Sequence, residues 1–106
     1  MSCFNILNPV DNSVVRSYHG GDSLDLEADK NYYIPGFSFC LINHGVIIDV
    51  YGLTWLVRIP GLLISHHLLI DQGPIDGGPV VTTVFNLSDT RVKVAQGDCI
   101  SRLVAI

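Results

Sequence analysis

The chain has 106 residues and a mass of 11.6 kDa, the size of a single domain, 1–106, with one hydrophobic core. Hydrophobic residues make up 48% and charged residues 15%, which leaves little polar material to cover an isolated sphere and predicts that some apolar surface meets a partner. Ten acidic against six basic residues give a net charge of −4, and Arg16, Lys30, Arg58, Arg91, Lys93 and Arg102 form no cluster, which argues against nucleic-acid binding through cation–phosphate contacts.

The chain starts Met1-Ser2-Cys3-Phe4-Asn5, with neither the basic start nor the apolar stretch of a signal peptide, so an intracellular location (cytoplasm or nucleus) is expected. The N-terminal stretch through Arg16, Tyr18, His19, Gly20 and Gly21 reads as mobile. Apolar residues then recur at spacing two in Leu24/Leu26, Phe37/Phe39/Leu41, Leu53/Trp55/Val57/Ile59 and Val92/Val94, as half-buried strands require. Helical periodicity is hard to find. Turn residues punctuate these runs at Gly20-Gly21-Asp22, Pro35-Gly36, Asn43-His44-Gly45, Pro60-Gly61, Gly73-Pro74, Gly77-Gly78-Pro79 and Gly97-Asp98.

The apolar runs Leu62 to Ile64 and Leu68 to Ile70 fall far short of the roughly 20 residues a membrane helix needs. Ile64-Ser65-His66-His67-Leu68 reads as extended chain, in which His66 and His67 point to opposite faces and cannot easily share one metal ion. Val80 to Asn86 is rich in β-branched residues and predicts a central strand; Ile100 to Ile106 predicts another. Cys3, Cys40 and Cys99 are odd in number and widely spaced, which points to buried reduced thiols. The whole reads as an all-β sandwich or barrel of short strands.

Four stretches in order resemble the motifs of the trimeric dUTPases. Ser23-Leu24-Asp25-Leu26 with Tyr33-Ile34-Pro35-Gly36 is similar to the G-Y-D-L segment and the I-P-P-G turn, and Leu41-Ile42-Asn43-His44-Gly45-Val46 to the L-V-P-T-G-I strand and turn. Gly73-Pro74-Ile75-Asp76 resembles G-V-I-D. Val84-Phe85-Asn86 followed by Gly97-Asp98-Cys99-Ile100-Ser101-Arg102-Leu103-Val104 resembles L-F-N and G-D-R-I-A-Q-L-I. The likeness spans about residues 21 to 104. It implies a dUTPase-like distorted β-barrel or jelly roll, assembled as a homotrimer with active sites made from neighbouring subunits.

The resemblance assigns roles residue by residue. Asp76 matches the general base that activates the attacking water, and Asp25 matches the carboxylate that reaches Mg2+ through water. Gly73 and Ile75 match the hairpin positions that read and pack the base of a deoxynucleotide. Arg58 and Gly61 fall at the phosphate-binding P-R-S-G motif. The departures are equally specific. Arg58-Ile59-Pro60-Gly61 lacks the motif's serine and displaces its arginine, and Asp76 is followed at once by Gly77-Gly78-Pro79, without the tyrosine that packs on deoxyribose. The glycine-rich fifth motif has no counterpart in these 106 residues; Arg16 with its neighbours is the one substitute arm the sequence offers.

Losing oriented phosphate donors costs on the order of 10²- to 10³-fold each in rate. The expectation is therefore a degenerate active site on a non-catalytic protein-interaction scaffold, of the reduced kind that viruses often carry. The alternatives are a minimal Mg2+-dependent dUTP diphosphatase and a nucleotide sensor that does not hydrolyse. For the scaffold, Val104 and Ile106, apolar at the third-last and last positions, suggest a PDZ-type ending set against the simpler reading of a buried last strand.

Overall fold

The computed structural model describes residues 2–59, 61 and 65–106. Eleven strands are described: β1 Cys3–Leu7, β2 Val14–His19, β3 Ser23–Glu27, β4 Tyr32–Ile34, β5 Phe39–Tyr51, β6 Thr54–Arg58, β7 Leu68–Ile70, β8 Gly73–Pro74, β9 Gly78–Asn86, β10 Val92–Val94 and β11 Cys99–Ala105. They form three antiparallel sheets in the orders β2-β1-β5-β9-β7, β3-β11-β6-β8 and β10-β4. The predicted strands at Val80 to Asn86 and Ile100 to Ile106 are β9 and β11. β9 has partners on both sides, as its β-branched run requires.

The core falls into two apolar clusters joined by a polar seam. Ile42, Val84 and Ile100 belong to one cluster; Ile48, Val80 and Leu103 belong to the other. Between them on the same three strands lie His44, Thr82 and Ser101, all buried. One imidazole nitrogen of His44 bonds the Glu27 carbonyl at 2.7 Å, the other bonds Thr82 Oγ1 at 2.6 Å, and Thr82 bonds Ser101 Oγ at 2.8 Å.

Several sequence expectations change. Asn43-His44-Gly45 is not a turn between strands but part of the 13-residue β5, where the register against β9 slips between Asn43 and Ile47. Gly45 takes φ +68 there, a left-handed angle that suits glycine, and the bulge carries His44 into the core. The N-terminal stretch is not a mobile arm. Val14–His19 pairs with β1, Arg16 lies over the Tyr18 ring at 4.9 Å, and Tyr18 stacks on Phe4 at 4.7 Å. Ser65 and His66 form a helical turn rather than a strand, with the Ser65 N–H donating to the Gly61 carbonyl four residues back, and His67 takes φ +55. Pro60 and the run Leu62 to Ile64 lie outside the described residues. The thiols are free, but Cys99 is exposed and Cys3 and Cys40 are only half-buried.

Two of the alternating runs face outward. Leu26 and Val94 point into the core as expected, whereas Phe39 is 59% and Leu41 55% exposed, and Leu53 and Trp55 are also exposed. The inward positions on those strands are Ile42 on β5 and Thr54 and Leu56 on β6. With apolar residues of both parities, alternation alone does not say which face is buried.

Candidate functional site

The site-bearing segment runs from β7 to β9 and changes sheets on the way. β7 pairs with β9, and the Asp71 N–H still reaches the Thr83 carbonyl at 3.1 Å. Two residues later β8 pairs with β6, Gly73 opposite Leu56 and Pro74 opposite Trp55. The departure opens a groove of about 330 Å³ lined by Leu56, Asp71, Gln72, Gly73, Pro74, Ile75, Val81 and Thr83. Gly73 and Ile75 both line this groove. Ile75 is pinned by its N–H to the Thr54 carbonyl at 2.9 Å.

Gln72, Val81 and Thr83 were not singled out by sequence. Gln72 lines the groove, and its side-chain oxygen accepts the backbone N–H of Arg58 at 2.9 Å, so it ties β6 to this wall. A Gln before a hairpin glycine has no local signature. Only the pairing of β8 with β6 places it.

Asp76 is exposed in the short link between β8 and β9 and does not line the groove. A Cβ on Gly77 would stand 3.2 Å from the Ile48 carbonyl oxygen, and Gly78 already pairs with Ile48. The link is therefore laid against β5 rather than standing clear to clasp a ligand.

Asp25 and Arg58 do not converge within one chain. On β11, Arg102 sits opposite both Asp25 and Val57, while the adjacent Ser101 sits opposite both Leu26 and Arg58. Neighbouring rows face opposite sides of a sheet, so Asp25 shares the outer face with Arg102 and Arg58 has the parity of buried Leu26. Arg58 is exposed because it ends its strand. Gly61 takes φ +87 and accepts the helical bond from Ser65.

The Asp25 carboxylate accepts Arg102 Nε at 2.6 Å, the single ion pair among the described residues. A magnesium ion needs several oxygen ligands. Asp25 offers one carboxylate, already engaged by a cation, and no group of three His, Cys, Asp or Glu residues able to hold a metal exists among the described residues. Within one chain the described residues supply no protein-only magnesium site, and a water-bridged contact at Asp25 would compete with Arg102.

Comparison with solved structures decides the family of folds. The dUTPase from phage phi11 of S. aureus superposes with a TM-score of 0.77 at 15% identity, covering 97% of this chain and 89% of that one. The EIAV dUTPase gives 0.68 at 20% identity, covering 98% and 86%. This chain has the dUTPase fold. A third match, the dUTPase of Staphylococcus bacteriophage 80alpha, gives 0.74 at 14% identity, covering 100% and 89%. No family model matches the chain, and no curated protein sequence does.

Within the dUTPase fold, the PDZ-type reading of Val104 and Ile106 is overturned. Val104 lies inside β11, opposite Ser23 on one side and Trp55 on the other, and the Ile106 N–H bonds the Leu53 carbonyl at 3.0 Å. A strand paired along both edges has no backbone left for a partner's groove. No helix of the described residues is long and apolar enough to cross a membrane.

Proposed function

We propose that the chain is a dUTPase-like homotrimer with a degenerate active site, acting as a non-catalytic protein-interaction scaffold. The observation that carries this reading is the β8–β9 link. Three residues, Ile75, Asp76 and Gly77, separate Pro74 from Gly78, and the glycine at their end is packed on the β5 backbone. A general base there has little freedom to approach a phosphate and no neighbouring residue to cover a sugar. The Asp25–Arg102 pair and the inward parity of Arg58 support the same reading.

The trimer is supported by the exposed apolar stripe on β5 and β9, where Phe39 and Phe85 pack with ring centroids 6.0 Å apart. The 80alpha protein is described as belonging to phage dUTPases that control transfer of virulence genes by a G protein-like mechanism, a precedent for signalling by this fold.

A second reading, the minimal dUTP diphosphatase, is favoured by one observation: the groove at Gly73 and Ile75 has the volume of a small-ligand pocket. It requires Asp25 to exchange Arg102 for magnesium and Arg58 to reach phosphate from a neighbouring subunit, with Asp76 as base. The phi11 protein coordinates a structural Mg(II) ion.

Pyrophosphate release from dUTP with magnesium, measured with the native chain and with Asp76→Ala, separates the two. The scaffold reading expects no release that depends on Asp76. A turnover of about 1 per second abolished by Asp76→Ala establishes the enzyme instead.

A further inference from the structure

The strand β10 pairs with β4 on one side and with no strand on the other among the described residues. A cavity of about 280 Å³ lies between β10 and the starts of β7 and β11. No residue of β4 lines it. Its floor is apolar: Leu68, Val94 and Ile100 are all buried. Its rim carries His66, Lys93 and Asp98, and Asp98 is already held in the Gly97 turn by accepting the Ala95 N–H at 2.9 Å.

The two basic residues nearest each other in the sequence are also brought over one aromatic ring. Arg91 and Lys93 are two residues apart and share one face, and both lie over the Tyr33 ring, at 5.1 Å and 6.0 Å from its centroid. Tyr33 is 51% exposed, and neither cation is in an ion pair among the described residues. The charge on this side is carried by Arg91 and Lys93 on the Tyr33 face, while the cavity rim itself sets Lys93 against Asp98.

We infer that β10 and its cavity dock an extended acidic segment of a partner protein. The segment adds as a strand along the open edge. Successive residues of a strand point to opposite faces. Carboxylates at alternate positions therefore meet Arg91 and Lys93, and an apolar side chain between them turns toward the Leu68, Val94 and Ile100 floor. Strand addition supplies affinity through backbone bonds and specificity through such alternate pockets. Two cations on an acidic protein are too few for nucleic acid, whose binding rests on many phosphate contacts. The inference rests on the interaction half of the proposed function, and the docking surface shares no lining residue with the Gly73 groove.

Fluorescence anisotropy with a labelled Glu-Val-Glu-Leu-Glu peptide, its Gln-Val-Gln-Leu-Gln analogue and a labelled oligo-dT tests it. Saturable binding of the acidic peptide is expected, weakened at least about tenfold by raised ionic strength and by the double variant Arg91→Glu/Lys93→Glu. The salt titration uses the native chain, so it does not depend on the variant folding; the variant's thermal unfolding is checked alongside. Absence of saturable binding, equal affinity for the neutral analogue, indifference to Arg91 and Lys93, or preferential binding of oligo-dT each overturns the inference. Measuring dUTP hydrolysis on the same preparation keeps the two readings apart: a peptide-binding chain that also hydrolyses dUTP sinks the non-catalytic reading alone.

Discussion

His44 has the directions of its hydrogen bonds set by one carbonyl. The Glu27 oxygen can only accept, so His44 Nδ1 carries the proton; in the neutral ring Nε2 then accepts from the Thr82 hydroxyl, and Thr82 accepts from Ser101. Protonating Nε2 makes Thr82 an acceptor there as well and leaves one hydroxyl proton of the Thr82–Ser101 pair without an acceptor, in a core where both residues are fully buried. Burial pushes the imidazole below its ordinary value of 6.5, opposed by the Glu27 carbonyl and the Asp29 charge. A histidine whose folded pKa is depressed takes up its proton more readily when unfolded. Its contribution to stability is thus complete above pH 6.5 and is lost as pH falls through the folded value. Thermal unfolding followed from pH 7.5 down to about 5 should show the midpoint dropping below about 6.5, with a smaller drop in His44→Phe, whatever that variant's absolute stability. An unchanged pH dependence in His44→Phe would show that another group is responsible.

The loops at one end of the sheets are joined by a single side chain. Asn86 ends β9 at 1% exposure, and its amide donates to the carbonyls of Ile34, Pro35 and Thr90 while its oxygen accepts from the Ser88 N–H and hydroxyl. Gly36 fits beneath, where a Cβ would stand 2.4 Å from the Asp89 oxygen. Asn86→Ala strips several buried groups of their partners at once and is expected to cost about 3 kcal/mol in a denaturant titration, against well under half of that for the exposed Leu87→Ala. At this scale the sequence was legible where local chemistry agrees with the register. Leu24/Leu26, Val92/Val94 and the β-branched run of β9 became strands with the expected faces inward, and Gly20-Gly21-Asp22 and Gly97-Asp98 became turns. It was not legible at Asn43-His44-Gly45, since a turn and a bulge use the same residues and only β9 across the sheet selects the bulge. Nor did alternation reveal that Phe39 and Leu41 face out, because Ile42 competes for the core from the other parity. The site was half legible for the same reason. Gly73 and Ile75 were marked by their motif, whereas Gln72 acquires its place only when β8 joins β6, and the separation of Asp25 from Arg58 is a matter of register on β11.

The whole molecule is a slab, 42 × 27 × 17 Å, with a radius of gyration of 14.1 Å where a compact chain of this length has about 13 Å. A slab 17 Å thick has little interior relative to surface, and here several large apolar residues stand on its surface. Phe39, Leu41, Val81 and Phe85 lie on one outer face of the β5–β9 ladder, Phe39 opposite Phe85, with Thr83 and Asn43 opposite the other two. Exposed contiguous apolar surface on a small chain marks an interface, and a symmetric assembly covers the same stripe on every copy. The proposed homotrimer predicts that sedimentation gives three times the 11.6 kDa chain mass at micromolar concentration. Phe39→Glu places a charge within the stripe while leaving Phe39's outward, solvent-facing backbone position unchanged, so it should release folded single chains rather than unfold them. Circular dichroism recorded with the sedimentation run distinguishes the two outcomes. A native chain that sediments at 11.6 kDa, or a Phe39→Glu variant that still sediments as a trimer, removes the stripe as the surface that joins the copies.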